Sequence, residues 1–441
     1  MTAAAQLALQ SRYEGYAYSY PHKTAYRPLA VPVSLDGLWA SERRDALFLY
    51  LHVPFCEMRC GFCNLFTATG AEPGVHRRYL AAMKRQAAQL QRALGAGARF
   101  ARLAIGGGTP TLLDDGDLEG LFDLSRRLGA DPARIPASVE TSPITATDGK
   151  VTLLKQAGVS RVSIGVQSFV DSEARAAGRS QQSSVVLAAL DRLAAAAFPA
   201  LNIDLMYGLP GQTVQTWLKS LGEALRFHPA ELFLYPLYVR ELTGLGRVGG
   251  AASSLRHECY QAGRAFLLSE GFEQTSMRMF RRSGRAAAPE EPSYCCQTDG
   301  MVGLGCGARS YTASLHYGSP FAVSAGPVRG IIDAYLAAPD AYFAEAAYGF
   351  ALNGEEQRRR FVIQSLLQAG GLDLASYFRR FLTRALFDLP EIGDLCDAGL
   401  ASPAAAGSIR LTEAGMAASD AIGPLFYSPN VRRLMGSCEL Q

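Results

Sequence analysis

From residue 47 the chain alternates short apolar runs with longer segments whose apolar residues recur at helical spacing. Such runs are typical of strands buried on both faces, and their alternation with helices predicts right-handed parallel βα units. The predicted strands are 47–53, 102–108, 137–142, 161–167, 201–208 and 231–237. The predicted helices are about 73–94, 116–128, 148–157, 182–198, 213–226 and 254–270. The pattern therefore predicts an α/β fold built as a partial or complete barrel.

The two ends of the chain have different patterns. Residues 1–44 are rich in Tyr and Pro without helical or strand periodicity, which predicts an irregular arm. Residues 281–293 predict a flexible connection, and 319–328 a small β-like stretch. The predicted divisions are an arm (1–44), a barrel core (45–280), an extension closing the barrel (281–340) and a C-terminal helical or winged-helix-like domain (341–441).

Charge and cysteine content narrow the class of protein. Forty-three Lys and Arg stand against 40 Asp and Glu, and a net charge of +3 is too small to indicate a nucleic-acid or membrane partner. No apolar stretch approaches the roughly 20 residues that a spanning helix needs. The odd number of cysteines, 9, in a long chain without a signal-like start indicates a reducing compartment. We therefore expect a cytoplasmic protein.

Glycine and polar residues occur where the predicted strands end. In α/β barrels the carboxyl ends of the strands carry the active site, because the loops that follow them meet at one rim. We therefore expect these residues to lie close together. They are Cys56, Gly106, Gly107, Gly108, Glu140, Gln167 and Asp204.

The segment HVPFCEMRCGFCN places Cys56, Cys60 and Cys63 in a C-x3-C-x2-C spacing just after a predicted strand. Three thiolates bind a 4Fe–4S cluster and leave one iron open, which can take the amino and carboxylate groups of S-adenosylmethionine (SAM). The alternative is zinc. Structural zinc usually has four protein ligands, and no second cysteine pair lies nearby in the sequence, while His52 belongs to the strand. The spacing therefore favours the cluster.

The CxxxCxxC motif, with Phe62 before its last cysteine, resembles the radical SAM superfamily. YLHVPFC, GGGTPT, GVQSF and IDLMYGLPGQT resemble its HemN/HemW branch, and the likeness runs from about Tyr50 to Gly307. The resemblance implies a partial (β/α)6 TIM-like barrel with an N-terminal arm and a small C-terminal domain. It also implies a catalytic 4Fe–4S cluster on the three cysteines, and SAM as the second cofactor.

The resemblance further implies a set of SAM contacts. For Glu140 and Asp204 the sequence adds that a buried charge is costly without a partner, although structural Arg or Lys residues or helix capping could supply one. The alternative for the glycines is a tight turn, for Phe62 core packing, and for Arg179 a solvated side chain. The implied contacts are Tyr50, Phe62, Gly106, Gly107, Gly108, Thr109, Glu140, Gln167, Arg179 and Asp204.

The stretch YCCQTDGMVGLGCGA, residues 294–308, is similar to the part of the branch that closes the barrel mouth. The resemblance makes Gln297 and Asp299 candidates for a second SAM site. Cys295 and Cys296 are either redox-active or inert small hydrophobic residues. A nearby arginine group suits the propionates of a tetrapyrrole, and a solvated basic loop is the alternative. Its members are Arg278, Arg281, Arg282 and Arg285.

Two departures limit the assignment within the branch. Leu65 stands where the oxidase pattern has a fourth cysteine, and YCCQTD replaces the His-Asn-x-x-Tyr-Trp element of the haem chaperones. We expect a radical SAM oxidoreductase that resembles oxygen-independent coproporphyrinogen III oxidase and abstracts hydrogen from a small-molecule substrate, with a tetrapyrrole as candidate. A flavodoxin or ferredoxin is the expected electron donor. The alternatives are a haem-binding chaperone and a radical methylase or tailoring enzyme.

Overall fold

A computed structural model describes residues 12–13, 15, 19–70, 72–284 and 295–439. Tyr16, Tyr18, Arg285 and most of the predicted 281–293 connection lie outside the described residues. The chain divides into two compact units. The larger unit consists mainly of Arg27–Gly263 and Gly284–Phe350, and the smaller unit of Met1–Tyr26, Arg264–Ser283 and Ala351–Glu439. The four predicted divisions of the chain stay a prediction.

The strands vary from short bridging pieces to the long central strands of the larger unit. They are β1 (Arg27–Ser34), β2 (Leu47–Val53), β3 (Phe100–Gly107), β4 (Ala137–Thr141), β5 (Arg161–Gln167), β6 (Ala200–Tyr207), β7 (Glu231–Pro236), β8 (Phe272–Gln274), β9 (Met279–Arg282), β10 (Met301–Leu304), β11 (Arg309–Tyr311), β12 (Leu315–Gly318), β13 (Glu345–Ala351), β14 (Leu372–Asp373), β15 (Ala401–Ala404) and β16 (Ser408–Leu411).

The helices alternate with the central strands and then dominate the C-terminal part of the chain. They are α1 (Leu35–Ala40), α2 (Val75–Leu94), α3 (Asp115–Arg127), α4 (Asp148–Ala157), α5 (Asp171–Ala176), α6 (Ser183–Ala195), α7 (Val214–Leu225), α8 (Gly244–Arg247), α9 (Arg256–Ser269), α10 (Cys296–Asp299), α11 (Ala325–Ala337), α12 (Gly354–Leu366), α13 (Leu374–Phe381), α14 (Ala385–Asp388), α15 (Glu391–Asp397), α16 (Glu413–Ala417), α17 (Ser419–Leu425) and α18 (Pro429–Gly436).

The core of the larger unit is a run of parallel strands in the order β2-β3-β4-β5-β6-β7. Helices connect successive strands, so the predicted alternation is confirmed. Two predicted strands, β2 and β5, agree with the structure at both ends. These strands are predominantly buried because their Val, Ile and Leu side chains meet neighbours on both faces. The carboxyl ends of all six therefore point to one rim.

Capping residues in the sequence define where several of these helices begin and end. The side chain of Asp114 accepts a hydrogen bond from the Asp117 amide at the start of α3, and Thr147 does the same at the start of α4. Thr213 and Thr216 form a reciprocal capping box at α7. Gly158 ends α4 in the left-handed conformation. Local sequence thus fixes the crossover helices independently of packing.

The sheet continues beyond β2 in a way that the hydrophobic pattern does not predict. Strand β10 pairs in parallel with β2, and β11, β12, β13 and β1 follow in that order. The prediction of an irregular segment is wrong for β1 and α1. Pro28 and Pro32 obscure the strand pattern, yet β1 is the last strand at this end of the sheet, where a missing N–H is tolerated.

The β-like stretch predicted near 319–328 is also misplaced. The strand of this region, β12, ends at Gly318, and α11 begins at Ala325. The sequence Ser319-Pro320 follows the strand, and proline favours chain reversal over continued pairing. Strand β10 contains Gly303, and β10 and β11, with four and three residues, are too short to give a periodic signal.

The smaller unit combines a hairpin, β8 with β9, and a three-stranded sheet in the order β14-β16-β15 with helices α12 to α18. Arg278 and Asp420 form a buried ion pair within it, with an N–O distance of 2.5 Å. Tyr20 donates a hydrogen bond to Glu356, and Ser428 donates to the same carboxylate at 2.7 Å. These contacts join segments that are far apart in the chain into one unit.

Candidate active site

The cysteine loop begins directly after β2 and folds back on itself. The Cys56 amide donates to the Ala68 carbonyl at 3.0 Å, and the Ala68 amide donates to the Pro54 carbonyl at 2.6 Å. Within the loop the Cys63 amide donates to the Cys60 carbonyl at 3.0 Å. The main chain therefore fixes the spacing between the three cysteines without help from a ligand.

Two other segments of the larger unit hold the outer part of this loop. The Gly61 amide donates to the Ala177 carbonyl at 3.1 Å, and the Leu245 amide donates to the Gly61 carbonyl at 2.7 Å. A Cβ atom at Gly61 would lie 2.8 Å from the Ala177 oxygen, so any larger residue would displace the loop. The glycine between the second and third cysteines is thus a packing requirement.

The thiols have polar neighbours. Arg179 donates from NH1 to the Cys60 Sγ at 3.3 Å, and the Thr109 side chain forms a hydrogen bond with Cys56. Burial raises the pKa of Cys56 to about 12 and also raises the pKa of Cys60, although Arg179 opposes the second shift. Because a metal binds the thiolate, loading this site with iron must release protons.

The thiol group fits a cluster better than a single ion. Among the described residues, no three His, Cys, Asp or Glu side chains converge on one metal-ion position. In a 4Fe–4S cluster each thiolate binds a different iron, so the three sulfur atoms need not meet at one point. Cys56, Cys60 and Cys63 are half-buried, and Cys63 lies near enough to the other two to help raise the pKa of Cys56 and of Cys60. This donor set therefore fits an iron–sulfur cluster.

The glycine segment at the end of β3 lies against the start of the cysteine loop. The Gly108 amide donates to the Val53 carbonyl at 2.7 Å, and the Thr109 amide donates to the Phe55 carbonyl at 2.7 Å. A Cβ atom at Gly108 would lie 2.5 Å from the Phe55 oxygen. Since Phe55 precedes Cys56, the missing side chain lets the two main chains meet beside the first thiol.

Glu140 lies across from the same glycine segment. The Gly107 amide donates to its Oε2 at 3.1 Å, and a Cβ atom at Gly106 would lie 2.7 Å from its carboxylate. The side chain has accessible surface, yet protein surrounds it closely, as in the wall of a cleft. This enclosure raises the pKa of Glu140 to about 7, with a smaller contribution from Asp204. The carboxylate therefore favours a cationic or hydrogen-bonding ligand.

Asp204 lies at the rim end of β6. Asn202 donates to its Oδ1 at 2.7 Å and Ser163 to its Oδ2 at 3.3 Å, while burial raises its pKa to about 6. Two arginines lower this pKa through their charge: Arg161, whose direct ion pair is with Glu231 at 2.8 Å, and Arg179. Structural arginine pairing, the alternative for this carboxylate, is therefore met only by these two indirect interactions among the described residues.

Gln167 occupies a strained position where β5 ends. Its φ angle is +70°, a left-handed conformation that is unusual for a residue other than glycine, and the register with β6 shifts between Gly165 and Gln167. Arg179 donates from NH2 to the Gly165 carbonyl at 2.6 Å. The bulge, the strained residue and the arginine that contacts Cys60 thus occur together, as is typical of functional sites.

A buried network that sequence reasoning missed supports this arginine. Gln181 accepts a hydrogen bond from Arg179 Nε at 2.6 Å, and its own amide donates to the Val166 and Ser168 carbonyls. Ser168 in turn donates to Glu173 at 2.7 Å. The available signal was the position of these polar residues just after β5. The network fixes which way the Arg179 guanidinium points.

Tyr50 and His52 lie on β2 beside the glycine segment. The Tyr50 hydroxyl is 3.3 Å from His52 Nδ1, and His52 Nε2 is 3.2 Å from the Phe66 carbonyl. A Cβ atom at Gly107 would lie 2.5 Å from the His52 ring. His52 therefore positions Tyr50 and is not free to bind a metal, a role that its sequence position did not reveal.

Phe62 packs against an apolar cluster of the larger unit, which is the core-packing alternative for its side chain. Its proposed contact with a cofactor stays a prediction. The members of that cluster are Ala177, Met206, Leu209, Leu237 and Leu245.

The candidates of residues 294–308 differ from one another in burial and in surroundings. Cys306 is buried, its pKa is raised to about 12, and it lies 3.8 Å from the Tyr79 hydroxyl, which favours a packing role. Cys295 and Cys296 are half-buried. Gln297 is buried, and the Asp299 side chain lies outside the described part of the structure.

The described members of the arginine group, Arg278, Arg281 and Arg282, belong to the smaller unit. The expectation of free guanidinium groups fails for Arg278, because its buried side chain pairs with Asp420. The Arg282 guanidinium stacks over Phe272, 4.5 Å from the ring centroid. These contacts favour structural roles for both residues over the binding of propionates.

The radical SAM superfamily model matches residues 50–224, which include the cysteine loop, the glycine segment, Glu140 and Asp204. Residues 50–224 therefore match a radical SAM domain. Members of this family use a 4Fe–4S cluster and SAM. The match ends within α7, so the remainder of the chain depends on other comparisons.

Several curated proteins are similar to this chain. It is 32% identical over 269 residues to the mitochondrial radical S-adenosyl methionine domain-containing protein 1 of Mus musculus, covering 59% of both chains. It is 30% identical over 273 residues to the oxygen-independent coproporphyrinogen III oxidase of Cereibacter sphaeroides, covering 60% of both. The heme chaperone HemW of Bacillus subtilis is 28% identical over 64% of this chain and 74% of its own. The alignments thus cover about 60% of the murine and Cereibacter proteins.

The likeness in fold extends further along the chain than these alignments. The coproporphyrinogen III oxidase HemN of Escherichia coli superposes with a TM-score of 0.75 over 93% of this chain and 96% of that chain, at 23% identity. This match confirms the predicted TIM-like fold. Among the described residues, no helix is both long and apolar enough to cross a bilayer.

Proposed function

We propose that this protein is a radical SAM enzyme that binds a 4Fe–4S cluster through Cys56, Cys60 and Cys63 and SAM at the adjacent rim. The observation that carries the proposal is the position of Arg179. Its guanidinium bonds to the Cys60 thiol and to the Gly165 carbonyl beside the strained end of β5. A single side chain therefore links the thiol loop to the strand ends that hold the remaining candidates.

When bound, the two cofactors supply hydrogen-atom abstraction from an unactivated carbon, begun by an electron from the cluster. The chain orients SAM. Glu140 accepts from the Gly107 amide and offers its other oxygen to the SAM ammonium. Asp204, held by Asn202 and Ser163, is placed to accept from ribose hydroxyls. A positive ligand keeps these carboxylates ionised against the upward shift that burial imposes.

Other residues complete the proposed SAM site. The Thr109 side chain donates a hydrogen bond to Cys56, the first thiol. The side-chain amide of the strained Gln167 lies close to Gly165, at the bulge in β5. Tyr50 is held by His52, which lies two residues further along β2. Gly106, Gly107 and Gly108 leave room for the ligand to approach the main chain.

We propose a small-molecule substrate, with a tetrapyrrole as the first candidate, because several relatives are named oxygen-independent coproporphyrinogen III oxidases. We also propose a reducing protein such as a flavodoxin or ferredoxin as the electron donor. A specific observation favours a second function, haem delivery. Leu65 is half-exposed where the oxidase pattern has its fourth cysteine, and proteins named heme chaperone HemW are also similar.

The test begins with protein reconstituted anaerobically with iron and sulfide. Wild-type protein given dithionite and SAM should bind about four irons and form 5′-deoxyadenosine. Replacing Cys56, Cys60 or Cys63 by Ala should reduce both to background. Cys396→Ala, at a half-buried cysteine of the smaller unit, is the matched control and should retain both. Undiminished 5′-deoxyadenosine formation by Cys60→Ala would refute the proposal.

The substrate is tested separately with coproporphyrinogen III under the same conditions. An oxidase converts propionate groups to vinyl groups with loss of CO2, which mass spectrometry detects. No vinyl product, together with stoichiometric haem uptake measured by absorbance, would favour haem delivery over the oxidase reaction.

A further inference from the structure

The smaller unit exposes a group of large apolar side chains within one short segment, residues 378–387. Phe387 and Leu382 have 83% and 80% of their surface exposed, and Phe378 and Leu386 about half. The segment spans the end of α13 and most of α14. We call it the 378–387 face. Single exposed apolar residues are ordinary, but four of them within ten positions mark an interaction surface.

The backbone of this face adopts a conformation that its sequence does not favour. Leu382 ends α13 with φ +56°, the left-handed conformation normally taken by glycine or asparagine. A leucine there is strained, and its side chain gains little from burial because it projects into solvent. Within the folded chain this residue has a cost without a compensating contact. A partner that receives the side chain would provide one.

The face is held firmly from beneath. The buried Tyr377 donates from its hydroxyl to Asp388 at 2.7 Å, and Thr383 donates to the same carboxylate at 3.2 Å. The Arg380 guanidinium stacks near the rings of Phe361 and Phe381. The apolar side chains therefore project from a fixed support, which reduces the entropy lost on binding.

The charged side chains within the face are all arginines. Arg379, Arg380 and Arg384 are exposed among the apolar residues, and Arg379 also lies 3.8 Å from Asp373, just outside the face. The two hydroxyl groups are already committed, since Ser376 donates to Asp373 at 2.5 Å and Thr383 to Asp388. The face thus presents apolar and cationic groups with few free neutral hydrogen-bonding side chains.

This combination distinguishes between classes of occupant. A protein interface usually carries about ten direct hydrogen bonds with varied donors and acceptors, which this face is poorly equipped to make. A symmetric contact with a second copy would bring the arginines of both copies together. Phe and Leu beside Arg are instead the composition of segments that lie in the interfacial region of a bilayer. Anionic headgroups would pair with the guanidinium groups while the apolar side chains enter the acyl boundary.

We propose that the 378–387 face docks the protein on the surface of a membrane that contains anionic phospholipid. The attachment is peripheral, because it requires side chains at one face and no spanning helix. It is independent of the radical SAM site, since the segment lies outside the 50–224 match.

The test is sedimentation of the full-length protein with vesicles of phosphatidylcholine and phosphatidylglycerol in equal amounts. Binding is expected to be at least about tenfold weaker to phosphatidylcholine alone and to weaken as salt rises. The double variant Leu382→Ser/Phe387→Ser should lose at least about tenfold of the binding. The triple variant with Arg379, Arg380 and Arg384 changed to Gln should bind both vesicle types equally weakly.

The matched control is Val31→Ser/Ile144→Ser, which removes exposed apolar side chains elsewhere and should bind like wild type. Iron content and melting temperature should be unchanged in all variants, which separates this result from failure of the proposed enzyme. The proposal is overturned if wild type ignores the anionic vesicles or if the control loses as much binding. It is also overturned if the protein binds polyglutamate more strongly than it binds the anionic vesicles. A further contrary result would be that the protein is a dimer and that the double variant dissociates it.

Discussion

The rim of the larger unit and the 378–387 face of the smaller unit both place side chains in energetically unfavourable surroundings, but for opposite reasons. At the rim, Glu140 and Asp204 are carboxylates in the wall of a cleft, and hydrogen bonds from neighbouring residues offset part of their desolvation. On the face, Leu382 and Phe387 are apolar groups surrounded by solvent. Each arrangement is unfavourable for the isolated chain. The difference supports the two proposals, a charged small molecule bound at the rim and an apolar surface bound by the face.

The largest effect is expected where the rim tolerates no additional atom. Gly107→Ala places a Cβ atom 2.5 Å from the buried His52 ring at a φ of +111°, and should destabilise the protein by roughly 3 kcal/mol or more. Urea denaturation measures this loss. Gly120→Ala, a helical glycine in α3 with open space around it, should instead stabilise by about 0.5–1 kcal/mol. Equal responses would show that the rim is not tightly packed.

The second effect concerns pH. The pKa of Glu140 is raised from 4.5 to about 7, so the folded apo protein holds this proton more tightly than the unfolded chain. The contribution of Glu140 to apo stability therefore declines as pH rises from about 4.5 to 7. Affinity for SAM should change in the opposite sense, because the ammonium prefers the ionised carboxylate.

Calorimetric titration of SAM measures this dependence. Below pH 7 affinity should fall by up to about tenfold per pH unit, and Glu140→Gln should bind weakly with a flatter profile. Glu119→Gln, at an exposed position in α3, should keep the wild-type profile. A pH-independent affinity in wild type would remove Glu140 from the proposed site.

The third effect tests the support of Arg179. Gln181→Leu removes the acceptor for Arg179 Nε and should weaken SAM binding by several-fold to tenfold, about 1–1.5 kcal/mol, with iron content unchanged. The reduction potential of the cluster should also shift, since Arg179 donates to a cluster ligand. The neighbouring Gln182→Leu, at an exposed position, should change neither. Unaltered affinity and potential in Gln181→Leu would make the network purely structural.

The smallest expected effect is an increase in the free energy of unfolding, and it concerns the 378–387 face. Leu382→Gly relieves the left-handed strain and should raise the free energy of unfolding by about 1 kcal/mol while vesicle binding falls. Leu386→Gly, in α14, should lower both. Loss of stability in Leu382→Gly would mean that Leu382 serves folding, and the contrast with the rim would disappear.

The central strands and their helices were predictable because their signals are local. Apolar runs such as 47–53 alternate with capped helices, and the cysteine spacing and glycine segment are contiguous in sequence. The hydrophobic pattern did not predict β1, because its prolines interrupt that pattern. It did not predict β10, because that strand is too short to show a period. The interpretation of residues 1–44 as irregular was wrong at β1 for that reason.

The residues that position the site's side chains could not be predicted from the sequence, because their contacts form only in the folded chain. Gln181 lies in no motif, and His52 lies within YLHVPFC without an implied role. The importance of both arises from carbonyls and rings that only the folded chain brings near. The burial of Arg278 against Asp420 likewise depends on segments far apart in sequence. The exposure of Leu382 is similarly hidden, because a leucine in an amphipathic pattern predicts burial.

The prolines of β1 bear on how copies of this protein can meet. An outermost strand with free amides is a template on which a second sheet can grow, and Pro28 and Pro32 each remove one of those donors. Val31, which projects between them, is exposed without an uninterrupted ladder beside it. Fibre-like stacking is therefore discouraged at this edge, and concentrated preparations should remain free of strand-templated aggregates that originate there.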